Sequence, residues 1–408
     1  MESESFSSSC SLVCSLSALQ WLLFPCIQPT TQPTEHGRIT TTHHNTTDTA
    51  AMEGMFFNID NGYVEALVRG YKNSLLTSSQ YINLTQCDNL EDVKLQLSAT
   101  DYGTYLADIN QTLSTSVIEQ KLNKKLIDDF HYIKSQSTDP LSKFLEFITY
   151  GYMIDNILLI ITGTIHNRDK SEILKKCNPL GWFETLPTLS IATDLTSLYE
   201  TVLIDTPLAK YFHNCLSIDD LDDLNVEIIR NILYKEYLED FYQFCQNELP
   251  SPTDEIMARL LEFEADKRTI NICVNSLETE LSVEEKLKML PSIGLLASNE
   301  SVKHQLASSS DLDSLQVLIT SVGAYSSFFN DSPGSATTST GTGSKSLEDS
   351  FYEYEMQLNK NAFTQQFTHS TVWAYVKSKE QEVRNIAWIC ECIAQNQKDK
   401  INNYIAVY

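Results

Sequence analysis

Lys377-Ser-Lys-Glu-Gln-Glu-Val-Arg-Asn-Ile-Ala-Trp-Ile-Cys-Glu-Cys-Ile-Ala-Gln-Asn396 carries the period on which the fold reading turns. At about 100° per residue, Val383, Ile386, Ala387, Cys390, Ile393, Ala394 and the later Ile401 fall on one stripe, the core face of an amphipathic helix. Arg384, Trp388, Glu391, Cys392 and Gln395 gather on a different side. A Trp beside an Arg and an acid, away from the main stripe, makes a second packing surface. Either another helix of the same chain lies there, or another protein does, since Trp and Arg are enriched as interface anchors.

The same helical signal runs outward from this stretch. Leu347–Val376 reads as a second long helix, preceded by the flexible Ser332–Ser346 loop, SPGSATTSTGTGSKS. Further back come Thr253–Leu281, Asp222–Cys245 and Thr196–Leu203, separated by Leu249-Pro-Ser-Pro252 and Thr206-Pro207. Phe144–Ile165 follows the break at Asp139-Pro140, and Val117, Leu122, Leu126, Phe130 and Ile133 form another 3.6-period stripe. Thr77-Ser-Ser-Gln80, Ser116-Val-Ile-Glu119 and Ser282-Val-Glu-Glu285 fit capping boxes. With no hairpin dipeptides and no sustained period-2 alternation, β structure is minor and the class is all-α. Glu227-Ile-Ile-Arg-Asn-Ile232 echoes Glu382-Val-Arg-Asn-Ile386, with fainter versions at Asp155-Asn156-Ile157 and Glu264…Arg268…Asn271-Ile272. The echo is either a recurring polar cluster that fixes helix register or a chance likeness between helices of similar composition.

The most apolar segment, Leu145–Ile165, contains Glu146 and Asp155, costly inside lipid, and its uninterrupted run is shorter than the roughly 20 residues a span needs. It reads as a buried core helix. Ser11–Ile27 lacks the basic flank of a signal peptide. Residues 1–51 are Ser/Thr-rich and lack apolar periodicity, so they are expected to be a disordered extension, with Met52 opening the folded part.

Formal charge is −25 over 408 residues, which argues against nucleic acid and anionic lipid and leaves a basic protein partner open. The ten cysteines are scattered without a CxxC pair, as small buried hydrophobes in a reducing compartment are. The Asn45, Asn83, Asn110 and Asn299 glycosylation triplets would matter only in a secreted chain. Gly341-Thr-Gly-Ser-Lys-Ser346 lacks the first glycine and the preceding strand of a phosphate-binding loop, and GxSxG, HExxH and GxGxxG patterns are absent. The acidic pairs Asp219-Asp220, Asp222-Asp223 and Glu284-Glu285 read as solvated or helix-N-terminal charges. No catalytic, cofactor-binding or metal-ligating residue is assigned.

One family carries these residues in order. Phe57-Asn-Ile-Asp-Asn-Gly-Tyr63, Thr100-Asp-Tyr-Gly103, Tyr152-Met-Ile-Asp-Asn156, Leu203-Ile-Asp-Thr-Pro-Leu-Ala209, Leu261-Glu-Phe-Glu-Ala-Asp266 and Trp388-Ile-Cys-Glu-Cys-Ile-Ala-Gln395 closely resemble subunit d of the V-type proton-translocating ATPases, a relative of the C component of archaeal-type ATPases. The resemblance runs from about Phe56 to Tyr408; residues 1–51 have no counterpart, and Pro291–Ser346 matches poorly. It implies three similar helical bundles about a pseudo-threefold axis, forming a funnel over residues 52–408. It also implies a non-catalytic subunit without cofactors, small-molecule substrate or nucleic acid. Its implied partners are the proteolipid c-ring and the central-stalk subunits D and F, so that ATP hydrolysis is coupled to proton transport. The implied place is the cytoplasmic face of endomembranes: vacuole, lysosome, endosome or, in a protist, contractile vacuole. On that reading Tyr152, Asp155 and Asn156 are structural, and Glu380, Arg384, Trp388, Glu391 and Cys392 form the coupling or assembly interface, with Trp388 as anchor. The rivals are a soluble helical adaptor unrelated to the pump and a hydrolase whose triad assembles only in the fold.

Overall fold

Side-chain caps and tertiary anchors set where the helices of this chain begin and end. The computed structural model describes residues 46–109, 112–166, 168–189, 206–212, 223–329 and 346–407, and all regular structure among them is helical. Residues 51–408 form one compact unit; of 1–50, only the start of the first helix is described. The expected helix at 196–203, the 332–345 loop, Asp219, Asp220, Asp222 and most of the expected N-terminal extension lie outside the described residues.

The longer helices are α1 (Thr46–Lys72), α2 (Ser78–Thr85), α3 (Leu90–Leu97), α4 (Thr115–Ser135), α5 (Leu141–Ile165), α6 (Lys170–Lys176) and α7 (Asp223–Glu248). They continue with α8 (Thr253–Asn275), α9 (Val283–Met289), α10 (Glu300–Ser308), α11 (Leu312–Ser321), α12 (Leu347–Ala362) and α13 (Ser370–Ala394). Met52 thus sits inside α1. The poorly matching 291–346 region is ordered in α10, α11 and a turn at Gly323–Tyr325.

Capping boxes at Thr77 and Ser282 form as expected. The third does not: α4 is capped by Ser114, whose hydroxyl accepts from Val117 N, and Ser116 lies in the first turn. A box at Ser346–Asp349 starts α12 instead. The expected helix over 347–376 breaks at 363–369, and α13 starts at Ser370, ahead of Lys377. The break is imposed from α1. Arg69 Nη1 donates to Phe363 O (2.8 Å), its other amino group donates to Gln365 O, and Glu65 accepts Phe367 N at 3.1 Å. Phe367 takes a φ of 61° there. An ion pair thus replaces helical bonds over one turn.

Apolar side chains gather in three main cores and a small patch around Leu75, Met356, Ile405 and Val407. The first lies between α5, α7, the first half of α8 and the start of α13. The second joins α2, α3, the first turns of α4 and the last turns of α13; the third joins the end of α8 to α9, α10 and α11. Long helices are shared: α4 and α13 pack along each other and feed the first two cores, while α8 feeds the first and third. Helix α5 has the length and apolarity to cross a membrane (mean hydropathy 1.5), yet Phe144, Leu145, Ile154, Ile157, Leu158 and Ile160 are at most 1% exposed in the first core.

Polar side chains fix the register of these shared helices. On α5, Asn156 Nδ2 donates to Asn178 O (2.9 Å) and its Oδ1 accepts from Asn178 N (2.7 Å). On α13, Asn385 makes the same reciprocal pair with Ile405, 2.6 Å to its O and 3.2 Å from its N. Two of the four echoed Asn-Ile pairs therefore do the same job. In the third core, Asp266 of α8 takes the corresponding role toward Leu295 N (2.8 Å) and Leu296 N (3.1 Å). Gly294, at φ +110°, lets that loop approach, since a Cβ there would stand 2.3 Å from Asp266 Oδ1.

Candidate functional site

Helix α13 presents its second face as the sequence reading expected, with one exception. Its core face buries Val383, Ile386, Ile389, Cys390 and Ile393, whereas Ala394, expected on the same stripe, is exposed and Ala387 is half-buried. On the other side, Glu380 accepts from Tyr152 Oη and from Lys377 Nζ (3.2 Å). Arg384 stacks over Tyr352 at 4.1 Å, Trp388 is 41% exposed with Nε1 donating to Lys400 O (3.2 Å), and Glu391 accepts from Gln395 (2.6 Å). Cys392 is the exception: 5% exposed, it packs in the second core and faces inward.

Two concavities flank this face, and Arg384 lines both. A cleft of about 410 Å³ opens where α5, α7, α8, α12 and α13 meet. Its walls carry ion pairs within and between helices. Lys267 of α8 lies 2.8 Å from Glu264 and 3.5 Å from Glu355 of α12, and Lys377 of α13 pairs with Glu380. Arg268 stacks on Tyr234 at 3.3 Å, and Arg230 sits 3.6 Å from Asp155 of α5. The second concavity, a groove of about 480 Å³, runs between the starts of α4 and α12, the outer side of α13 and the C-terminal tail.

The cleft's titration follows from these pairings. Burial pushes the Glu264 carboxyl up, but Lys267 and Lys377 outweigh it and hold the group at about 2. Burial raises Glu355, which also faces the Glu264 charge and is only partly relieved by Lys267. For Lys377, burial acts downward and the Glu380 and Glu264 carboxylates overcome it, lifting the ammonium well above its ordinary range. Tyr152 is raised far out of range by burial and by Glu380. A general acid or base works best when its pKa lies near the working pH. The pairings hold Glu264 and Lys377 away from it as fixed charges, and Tyr152 as a neutral phenol, while burial moves Glu355 the other way.

Two further buried groups are shifted outside the cleft. Burial raises Asp266 to about 6, against its bonds from Tyr325 Oη and two backbone N–H groups. Burial lowers His369 to about 4, with its ring 4.8 Å from that of Phe57. Burial also pushes the Cys245 thiol far up in the first core and Cys390 to about 12 in the second, so both behave as apolar filler.

Periodicity missed a fully buried ion pair. Lys379 and Glu382, each 0% exposed, pair at 2.7 Å on the core side of α13. Their i,i+3 spacing, like that of Glu264–Lys267 and Lys377–Glu380, was the available signal.

Shared helices over three cores, with ion pairs lining the junction, define an all-α protein whose polar residues are spent on joining helices. The chain belongs to the ATP synthase (C/AC39) subunit family, whose model matches residues 64–404. It is 56% identical over 360 residues to V-type proton ATPase subunit d of Saccharomyces cerevisiae, covering 88% of this chain and 100% of that protein. V-type proton ATPase subunit d of Dictyostelium discoideum is 48% identical, covering 87% of this chain and 97% of its own length. The C component of the A-type ATP synthase of Desulfurococcus sp. is more distant, 21% identical over 56% of this chain and 60% of its own. The resemblance to subunit d read from the sequence therefore holds along nearly all of the folded chain.

Proposed function

We propose that this chain is a non-catalytic connector of a V-type proton-transporting ATPase, joining the central stalk, subunits D and F, to the proteolipid c-ring on the cytoplasmic face of an endomembrane. The observation that carries the reading is the 56% identity across the whole length of the yeast subunit d. In this role the chain couples ATP hydrolysis on other subunits to proton movement through the ring and acidifies the organelle. The three cores joined by α4, α8 and α13 support a funnel of three bundles. A cleft of fixed ion pairs suits a part that must stay stiff, and the second face of α13 supplies a contact surface.

The test uses affinity-tagged full-length chain in its native cells. It sediments with membranes and co-purifies with other V-type ATPase subunits. Trp388→Ala weakens that retention or lowers protons pumped per ATP hydrolysed. Trp388 is 41% exposed with a single polar bond to Lys400 O, so the loss reports contact and leaves the fold intact. A chain found entirely soluble and alone, as a free adaptor would be, overturns the connector. Hydrolytic turnover by the purified chain would point to the enzyme instead.

A further inference from the structure

We propose that the groove on the outer side of α13 is a docking site for a basic segment of a partner protein, one Lys or Arg side chain entering beside Gln381. The proposal rests on the reading of this face as an interface and adds the chemistry of its occupant.

The first observation is an orphaned acceptor. Gln381 is 2% exposed, lines the groove, and its Oε1 has no hydrogen-bond partner. Its orientation is fixed by its neighbour. Asn385 spends its Nδ2 on Ile405 O and takes Ile405 N on its Oδ1. That Oδ1 also accepts from Gln381 Nε2 at 2.8 Å. The amide of Gln381 must present its NH₂ to Asn385, which leaves its oxygen, on a residue of the groove lining, without a donor. A buried carbonyl oxygen without a donor costs about 1–3 kcal/mol, and an ammonium or guanidinium relieves it.

The second observation is charge. Glu119, Asp349 and Glu391 line the groove against a single cation, Arg384. Arg384 is itself stacked on the groove's aromatic wall, 4.1 Å from the Tyr352 ring, which shows how a guanidinium fits there. Trp388 offers a second exposed ring to an incoming cation. The net charge of −25 favours approach of a basic partner from a distance. Residues 1–45 of this chain hold one Lys or Arg, Arg38, and so make a poor occupant.

The experiment is fluorescence anisotropy with purified full-length chain and a fluorescein-labelled hexapeptide of alternating lysine and leucine, at low ionic strength. Saturable binding is expected. Glu119→Gln with Glu391→Gln, both exposed carboxylates, weakens it about tenfold. Gln381→Met weakens it further while circular dichroism stays helical. The control pair Glu278→Gln with Glu280→Gln removes the same charge from exposed positions elsewhere and leaves binding within about twofold. Absence of saturable binding, equal weakening by the control pair, or equal affinity for a glutamate–leucine peptide overturns the proposal. If membrane co-sedimentation holds while the peptide fails, only the groove's occupant is wrong. If the peptide binds as described while the chain stays soluble and alone, only the pump connector is wrong.

Discussion

Replacing Glu382 by Gln keeps the side chain's shape and removes one charge from a fully enclosed pair. Lys379 Nζ is 2.7 Å from Glu382 Oε1, both side chains being 0% exposed. Glu382 also accepts from Tyr102 Oη (2.7 Å) and Leu76 N (2.5 Å), tying α13 to the α2–α3 end of the second core. Glu382→Gln leaves the Lys379 ammonium buried with the Tyr102 ring at 4.1 Å as its remaining described electrostatic contact. Breaking such a pair costs about 3–5 kcal/mol. With a urea slope of about 3 kcal/mol/M, the midpoint falls by about 1 to 1.7 M. Lys379→Met is milder, about 2 kcal/mol, because the carboxylate keeps two donors. The double variant, which buries no charge, costs less than the sum of the two. Urea titration followed by circular dichroism measures all three. If Lys379→Met proves as damaging as Glu382→Gln, or the two effects simply add, the assignment of the cost to an unpaired buried charge is refuted.

Gly181→Ala places a Cβ 2.4 Å from the carbonyl carbon and oxygen of Tyr152; with backbone on both sides, about 2–3 kcal/mol is lost, read as a lower midpoint. Gly294→Ala meets both the φ of +110° and Asp266 at 2.3 Å, and costs about 1–3 kcal/mol, with earlier proteolysis of the 290–298 loop. His369 titrates near 4 when folded, against about 6.5 unfolded. Its contribution is complete above pH 6.5 and is lost, by about 3 kcal/mol, as pH falls toward 4. Asp266, raised to about 6 from an unfolded value near 3.8, acts in the opposite sense: its contribution is complete below 3.8 and lost as pH rises through 6. Wild-type stability is therefore flatter between pH 4 and 6 than that of His369→Gln or Asp266→Asn, and unfolding at each pH checks it.

Amphipathic period made the helical class, the α13 core face and two capping boxes legible, since these depend on neighbours within a turn or two. Long-range partners set what was missed. The α12–α13 break has neither Pro nor Gly; it exists because Arg69 and Glu65, some 300 positions earlier, hold its backbone. Ile118, not Val117, is the first buried residue of α4, because the cap at Ser114 sets its phase. Cys392 lay within the angular range of the outer face, but the second core curves around the end of α13 and covers it. Of the interface cluster, sequence brought Arg384, Trp388 and Glu391 to one groove; the role of Gln381 depends on the tail at Ile405, which no local pattern foretells.

The paired amides on α5 and α13 have a mechanical consequence. Two greasy helix surfaces creep past each other in small steps, each new arrangement nearly as good as the last. A carboxamide gripping both the N–H and the C=O of one residue, as Asn156 and Asn385 do, has one acceptable position. Displacement by about 1 Å breaks both bonds at once. A twisting load therefore meets a detent: the body yields little below a threshold and then gives abruptly, and neither Asp, lacking the donor, nor Gln, one methylene longer, restores that stop.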